Sequence, residues 1–426
     1  MRALAVITVT AMATLAGCAG DEQFEDPDFD LMDIVAYDAS GRGTPADGAG
    51  GDLLPIPEQD TPGSSSSSSS SSGGGTAKPK PTVSFSRSFG GKFDETLAAV
   101  IRQGLNLYSV GLTGSFGAGG KDALVARTDN CGKATWVKAY GGKGDDQALA
   151  ASSVGSQIWI AGSTTSVSQG VQAWLFRIGG NGLITTSAAI GGPGFDEAVS
   201  IAAMADGGAV AVGNTDSYGP AAPKYASLMV VRVDKDSKVL WGRVYGKKYY
   251  SNRASSVVSL PNNGGFAVAG AAEGWGAGKD DFWLLRLDAN GKFHWSMTYG
   301  TDQDDEATAL LTAPDGGFFI AGHSDGFGAK SDDAIALKVN GAGQVQWATR
   351  IGSTTGDDRG WTATRLGTGY VVAGYSDAMG SGTDALLAKI APSGGVDWVR
   401  SVGGSKTQKA RSIVTSADGG IVSVGY

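Results

Sequence analysis

The chain has 426 residues, long enough for several domains or for one large all-β domain. Its net charge of −8 is uneven, because residues 19–60 carry twelve acids and one base whereas residues 82–426 carry thirty of each. The long C-terminal part therefore lacks the basic field that nucleic-acid binding requires. Two cysteines and two histidines argue against a disulfide-rich scaffold and limit any histidine-based site.

The first residues are typical of a signal peptide. Met1-Arg2 is followed by a short apolar run, which ends in Leu15-Ala16-Gly17-Cys18. These four residues resemble the bacterial lipobox, and the resemblance implies cleavage before Cys18 and a lipid on its thiol. Ala19 follows the cysteine, which by the same resemblance implies sorting to the outer membrane. We therefore expect residues 1–17 to be removed and Cys18 to anchor the chain to the membrane.

Residues 18–81 have the composition of an unfolded tether. They contain an acidic stretch, nine consecutive serines (Ser64–Ser72) and a Gly- and Pro-rich end, with too little apolar surface to offset the chain entropy of folding. One segment, Leu31–Tyr37, is apolar enough to form a strand.

From residue 82 to 426 the chain repeats about every fifty residues, which is typical of repeat folds. The repeated slot precedes a Gly-rich turn and is aromatic in six of the seven units, the third unit having a threonine. In chain order the slot residues are Phe85, Trp136, Thr186, Trp241, Trp295, Trp347 and Trp398. Each unit reads as four short strands with hairpin signals such as Pro314-Asp315-Gly316-Gly317. The pattern predicts an all-β fold, a β-propeller of seven blades with four antiparallel strands each, with a complete or an incomplete last blade.

The run from Leu287 to Trp295 recurs from Val233 to Trp241. It resembles the tryptophan-docking repeat of quinoprotein-like propellers, and the Gly and Asp frame of each unit resembles bacterial SBBP-type propeller repeats. The resemblance implies that the slot tryptophans dock neighbouring blades; these are Trp136, Trp241, Trp295, Trp347 and Trp398. No vicinal cysteine pair occurs, so the quinoprotein activity is not carried over, and no cofactor is predicted.

Closure of the ring is left open by the sequence. First, second and fourth strands are each predicted seven times, but third strands only six times. The chain could be truncated after Tyr426, the last blade could be incomplete, or Leu31–Tyr37 could supply the missing strand. The last option is supported by Asp38-Ala39-Ser40-Gly41-Arg42, which matches Asp288-Ala289-Asn290-Gly291-Lys292.

The long loops of one propeller face are the predicted ligand face. They carry acids and bulky residues beside glycines: Asp145, Asp146, Asp196, Asp304, Asp305, Asp357, Phe116, Tyr218, Trp275 and Phe327. Carboxylates beside aromatic rings suit a sugar or a hard cation. The alternative is structural, since aspartates cap turns and bulky loop residues cover gaps between blades. No alternating calcium-loop motif occurs, so we predict no metal.

One base recurs in every predicted third strand, and we expect these bases to pair with the loop acids; they are Arg127, Arg177, Arg232, Arg286, Lys338 and Lys389. His323 and His294 are interpreted as packing or surface residues, and Cys131 as a free thiol in a turn.

No catalytic motif occurs, so the sequence favours a binding or scaffold module of the cell envelope for a protein or a glycan. Two alternatives stay open. One is a polysaccharide hydrolase or lyase that uses the loop carboxylates. The other is an outer-membrane assembly scaffold.

Overall fold

The computed structural model describes residues 90–426, apart from 168–169, 277, 327–330, 354–355, 380–381 and 405, together with the backbone of residues 8–11 and 85–88. The strands are numbered in chain order, beginning with β1 (Thr8–Ala11) and β2 (Phe85–Ser88). A single 3₁₀ turn, Pro261–Asn263, interrupts an otherwise all-β chain in the described part.

Six blades are complete, and each is a four-stranded antiparallel sheet of consecutive strands. The first three blades are β3 (Glu95–Gln103), β4 (Asn106–Thr113), β5 (Asp122–Asp129), β6 (Ala134–Tyr140); β7 (Asp146–Val154), β8 (Gln157–Thr164), β9 (Gln172–Ile178), β10 (Ile184–Ile190); and β11 (Asp196–Ala203), β12 (Ala209–Thr215), β13 (Ser227–Val233), β14 (Val239–Tyr245).

The next three blades follow the same plan. They are β15 (Asn252–Ser259), β16 (Phe266–Glu273), β17 (Asp280–Leu287), β18 (Phe293–Tyr299); β19 (Asp305–Thr312), β20 (Phe318–Ser324), β21 (Asp333–Val339), β22 (Val345–Ile351); and β23 (Asp358–Leu366), β24 (Gly369–Ser376), β25 (Asp384–Ile390), β26 (Val396–Val402).

The β-propeller fold is confirmed, but the prediction of seven four-stranded blades is wrong. At the seventh position the C-terminal repeat supplies only a two-stranded sheet, β27 (Ala410–Thr415) and β28 (Ile421–Gly425). Its third-strand position is held by β1, which pairs antiparallel with both β28 and β2 and comes from outside the repeats. Leu31–Tyr37, the alternative predicted for this position, lies outside the described residues.

The first strand of every blade is innermost, since it contacts the first strands of both neighbours around the ring. Each first strand also carries a β-bulge near its start, so that one residue has no partner on the second strand; in chain order these residues are Ala98, Leu149, Val199, Ser255, Thr308, Trp361 and Arg411. Bulges re-aim side chains and increase the local twist.

The hydrophobic core lies between blades. Val212 and Val230 of the third blade, for example, share one buried cluster with Val268 and Leu285 of the fourth. The middle strands are covered on both faces, and β13 and β21 are buried along their whole length. Each fully buried aliphatic side chain contributes roughly 1.5–3 kcal/mol, so the blades depend on one another for stability.

Slot tryptophans link each fourth strand to the turn that precedes the fourth strand of the next blade. The Trp136 indole nitrogen donates to the carbonyl of Gly180, at 3.2 Å, and that of Trp347 donates to the carbonyl of Pro392, at 3.0 Å. At each of four junctions a glycine with positive φ faces the ring so closely that an added Cβ would lie 2.6 to 3.2 Å from it; the pairs are Gly182 with Trp136, Gly291 with Trp241, Gly343 with Trp295 and Gly394 with Trp347.

The junction between the second and third blades departs from this rule on both sides. Thr186 replaces the tryptophan, and Ser237 replaces the glycine at the same left-handed position, with a φ of 63°. The Thr186 hydroxyl donates to the Ser237 hydroxyl, at 2.9 Å. A hydrogen-bonded Thr–Ser pair therefore replaces the Trp–Gly contact of the four junctions above. The two changes fit together, because an indole needs a turn residue without a Cβ and a threonine does not.

This exchange predicts strong coupling between the two positions. Thr186→Trp alone should destabilise the protein by about 1–3 kcal/mol, because the indole would overlap the Ser237 side chain. Adding Ser237→Gly should recover most of that loss, and the two changes should be clearly non-additive when thermal unfolding is compared across the four proteins. Independent, additive effects would contradict the docking rule.

Candidate functional site

The loops before each first strand and the loops after each second strand lie at the same end of the propeller. We call this end the upper face. The two sets of loops are hydrogen-bonded to one another: the Thr165 amide donates to the Asp145 carbonyl, and that of Asp377 to the Asp357 carbonyl, at 2.9 and 3.0 Å. All ten residues of the predicted ligand face belong to these loops or to the strand ends beside them. Of these, Phe327 lies outside the described residues.

Three of the predicted acids begin first strands and are buried: Asp146, Asp196 and Asp305. Each caps the loop that enters its own strand. Asp146 accepts from the Gly142 amide at 2.8 Å, Asp196 from the Gly192 amide at 2.8 Å, and Asp305 from the Thr301 amide at 2.6 Å. The Oδ2 of each is therefore held by the fold, while the Oδ1 of each is buried without a hydrogen-bond partner among the described residues.

The capping position is filled in every blade. Glu95, Asn252, Asp358 and Gln408 accept equivalent amide bonds in the other blades. Because Asn and Gln serve as well as Asp and Glu, the position requires an acceptor but not a charge.

The other three predicted acids lie nearer to solvent. Asp145 is exposed and accepts from the Lys121 amide at 2.9 Å, and Asp304 is half-exposed with its carboxylate 3.2 Å from the Lys279 ammonium. The Asp357 amide donates to the Asp377 carboxylate at 2.5 Å. These residues connect adjacent loops, and exposed pairs of this kind contribute little to stability.

The bulky loop residues cover the gaps between blades and still present surface. Phe116 and Tyr218 are 46% and 47% exposed, and the Tyr218 hydroxyl donates to the carbonyl of Gly191 in the loop from the preceding blade. Trp275 is more buried and packs against Trp283 with ring centres 5.1 Å apart. Phe116 and Tyr218 therefore remain available for contact with a ligand on this face.

Buried carboxylates also meet in pairs at some junctions. Asp122, at the start of a third strand, and Asp146, in the next blade, both lie against Gly141, and their oxygens would be 2.3 and 2.5 Å from a Cβ at that glycine. Burial raises the pKa of Asp122, and the charge of Asp146 adds to this effect. Burial also raises the pKa of Asp333 to about 6, with Asp358 beside it. Within the described ranges, no group of three or more metal-ligating side chains is found.

The predicted pairing of third-strand bases with loop acids is wrong. The bases lie towards the opposite end of their strands, where Arg232 pairs with Asp206 and Lys338 with Asp315 of the first hairpin turns, and Lys389 lies 3.4 Å from Asp397. Arg127 and Arg177 donate instead to the carbonyls of Gly180 and Gly207 in the next blade. The Arg286 guanidinium donates to carbonyls of its own blade.

A charged group that the sequence analysis missed lies on the upper face of the fourth to sixth blades. We call it the axial cluster, and it consists of Arg253, Asp280, Glu306, His323, Asp332 and Arg359. Arg253 is 2.7 Å from Asp280 and 3.7 Å from Glu306, and Arg359 pairs with Asp332. Glu306 and His323 are cross-strand neighbours. Three of these residues stand one position after the capping residue of an innermost strand, so the cluster lies near the propeller axis.

Several groups of the axial cluster are buried without full hydrogen bonding. The Nδ1 of His323 and the Oδ1 of Asp280 have no hydrogen-bond partner among the described residues. Burial, together with the charges of Arg359 and Arg253, lowers the pKa of His323 to about 4, so this imidazole is neutral at pH 7. Burial raises the pKa of Glu306.

The signal that could have found this cluster is departure from the repeat. The cross-strand position of His323 is held in the preceding blades by Leu112, Ser163, Asn214 and Ala271. The interpretation of His323 as a packing residue rested on its place after a core strand, which says nothing about its charged neighbours.

Comparisons with known proteins add little beyond the fold. No protein-family model matches the sequence, and no curated protein sequence matches it. A protein of unknown function from Bacteroides caccae is similar in structure, with 11% identity and a TM-score of 0.43, over 72% of this chain and 97% of that one.

Two enzymes are also among the similar structures. A puromycin hydrolase is 16% identical with a TM-score of 0.47, over 77% of this chain and 50% of that one. The periplasmic gluconolactonase of Pseudomonas aeruginosa is 14% identical with a TM-score of 0.37, over 74% and 98%. Similarities this low carry no functional argument.

Two further observations concern membrane spans and cysteines. In the described part of the chain, no helix has the length and apolar character needed to cross a membrane. Cys131 is disulfide-bonded, so its interpretation as a free thiol is wrong.

The capping role of Asp305 can be tested by two substitutions. Asp305→Ala should cost about 1–3 kcal/mol of unfolding free energy, because the Thr301 amide would lose its buried acceptor. Asp305→Asn should cost less, since Asn252 fills the same position in the fourth blade. Urea denaturation measures both, and equal losses for the two variants would contradict capping.

Proposed function

We propose that this chain is a ligand-binding propeller of the bacterial cell envelope, related to SBBP-type repeat propellers, whose upper face contacts a glycan or a protein. The single observation that carries the proposal is that the capping acids of that face are buried, whereas two of its aromatic residues are exposed. Asp146 and Asp305 are at most 1% exposed and cap backbone amides, whereas Phe116 and Tyr218 remain about half-exposed. Exposed aromatic residues on a rigid scaffold favour recognition.

The same observation weighs against the hydrolase or lyase alternative. An acid–base pair must reach the substrate within about 3 Å, and carboxylates buried under their own loops cannot do so without unfolding them. A turnover based on Asp146 and Asp305 is therefore disfavoured.

Binding can be tested on a glycan array and by cross-linking in intact envelopes. Tyr218→Ala and Phe116→Ala should each weaken capture of the recovered ligand about tenfold, because each removes an exposed aromatic contact. Phe293→Ala is the matched control, since Phe293 is 53% exposed but begins β18 at the opposite end of the blade. Equal losses in all three variants, or none, would count against the upper face.

We further propose that Cys18 carries the lipid that holds the chain on the outer membrane, after removal of residues 1–17. Acyl chains anchor at about 0.8 kcal/mol per buried CH₂, so several chains suffice. If flexible, residues 19–81 would span roughly 45 Å, which would keep the propeller away from the bilayer. The support is the sequence Leu15-Ala16-Gly17-Cys18. The disulfide of Cys131 weighs against the lipid, because Cys18 is the only other cysteine of the chain.

Lipidation predicts that Cys18→Ser releases the protein from washed membranes, and that the wild-type N-terminal peptide begins at Cys18 with added acyl mass. Because the chain has two cysteines, a thioether at Cys18 excludes a disulfide between Cys18 and Cys131. Mass spectrometry of both cysteine peptides distinguishes the two. An unmodified Cys18 would contradict the anchor.

A further inference from the structure

The inner edge of the sixth and seventh blades differs from the rest of the ring. At the bulge of the innermost strand, five blades carry small or aliphatic residues, whereas these two carry Trp361 and Arg411. One position after the capping residue they carry Arg359 and Lys409. The other blades have Thr96, Gln147, Glu197, Arg253 and Glu306 there, so a base at this position also occurs in the fourth blade, whereas Trp361 and Arg411 have no counterpart. Residues that recur in every blade solve a shared structural problem, so residues confined to one sector need another explanation.

These side chains form one compact group with two aromatic rings. Trp361 and Tyr375 meet edge to face with centres 4.8 Å apart. The Lys409 ammonium is 3.9 Å from the Tyr375 ring centre, and the Arg411 guanidinium is 4.1 Å from that of Trp361. Tyr426 is the backbone partner of Lys409, and its ring lies 5.3 Å from Arg411. We call this group the basic-aromatic cluster: Trp361, Tyr375, Lys409, Arg411 and Tyr426.

The cluster carries positive charge that the fold does not neutralise. Among the described residues, neither Lys409 nor Arg411 forms an ion pair with a carboxylate, whereas Arg359 beside them is already paired with Asp332. Burial lowers the pKa of Lys409, and the charges of Arg411 and Arg359 lower it further, against the opposite effect of Asp377. Crowded, partly desolvated cations gain most from an anionic partner.

The exposure of the cluster leaves it reachable. Arg411 is exposed, Trp361, Lys409 and Tyr426 are partly buried, and Tyr375 is buried, so the two bases are packed on aromatic rings yet face solvent. The axial cluster adjoins it through Arg359, which is the cross-strand neighbour of Tyr375. A ligand bound at the basic-aromatic cluster would therefore contact bases and an aromatic ring and lie next to the polar groups around His323.

We propose that the basic-aromatic cluster binds the anionic group of an acidic saccharide. Arg411 and Lys409 hold the oxyanion, a carboxylate or a phosphate. Trp361, which packs edge to face on the buried Tyr375, supplies the flat surface against which a sugar ring packs. Rigid rings pack on aromatic faces at little entropic cost, which favours a saccharide over a flexible acidic peptide. The inference rests on the proposed binding function and specifies its ligand class.

Calorimetric titration of the full mature chain tests the inference with five probes: trigalacturonate, its methyl ester, mannose 6-phosphate, hexaglutamate and maltotriose. Trigalacturonate or mannose 6-phosphate should bind, and which of them binds identifies the oxyanion. Binding should weaken at least tenfold in Arg411→Gln and in Lys409→Gln, partly recover in Arg411→Lys, and fall with added salt. The methyl ester should bind at least tenfold more weakly than trigalacturonate.

Arg243→Gln is the matched control, because Arg243 also lies over an indole, 5.8 Å from the Trp241 ring centre, but on an outer strand. It should bind like the wild type, and thermal melts of all variants establish that each is folded.

Equal loss in Arg243→Gln, equal binding of the methyl ester, equal binding of hexaglutamate, or no binding of either acidic saccharide would overturn the inference. Binding of maltotriose that is lost in Tyr218→Ala but kept in Arg411→Gln would also overturn it, while leaving the proposed binding function intact.

Discussion

The contact between an indole and the turn of the next blade is the constraint on which the ring depends. A sheet of four strands cannot bury both faces by itself, so each blade needs a fixed distance and angle to its neighbour. The indole sets both, because it lies on a turn whose central residue has no side chain. Where the indole is absent, at Thr186, the glycine is absent as well, and Ser237 completes a hydrogen bond instead. The two positions behave as one unit.

Repetition also separates structural from functional residues. The capping residue of each first strand recurs around the ring as an acceptor for a loop amide, whether it is an acid or an amide, and the third-strand bases hold turns at the other end. Neither is arranged to meet a ligand. His323 stands where the preceding blades have Leu112, Ser163, Asn214 and Ala271, and Trp361 and Arg411 stand where the other blades have small or aliphatic residues. Burying His323 costs free energy that those blades avoid, and such departures from the repeat support our proposal that the basic-aromatic cluster binds a ligand.

Much of the fold could be predicted from the sequence, since a Trp before a Gly-rich turn and paired Gly hairpins mark strand ends directly. The predicted pairing of third-strand bases with upper-face acids is wrong because the two groups lie too far apart. Asp281 and Arg286 are five residues apart on one strand, or about 16 Å, so they reach opposite faces of the ring. The third strand of the seventh blade could not be predicted, because Thr8–Ala11 lies within a segment that reads as a leader. The axial cluster was hidden because its members are far apart in the sequence.

The place of Thr8–Ala11 bears on when the protein matures. Its four residues bridge β28 and β2, so they tie the two extremities of the described chain into one sheet. If a peptidase removes residues 1–17, as proposed, it takes away a structural element as well as an address label. Cleavage would then be a step in folding. Before it, β1 would complete the sheet of the seventh blade; after it, β28 and β2 would each need a new strand partner.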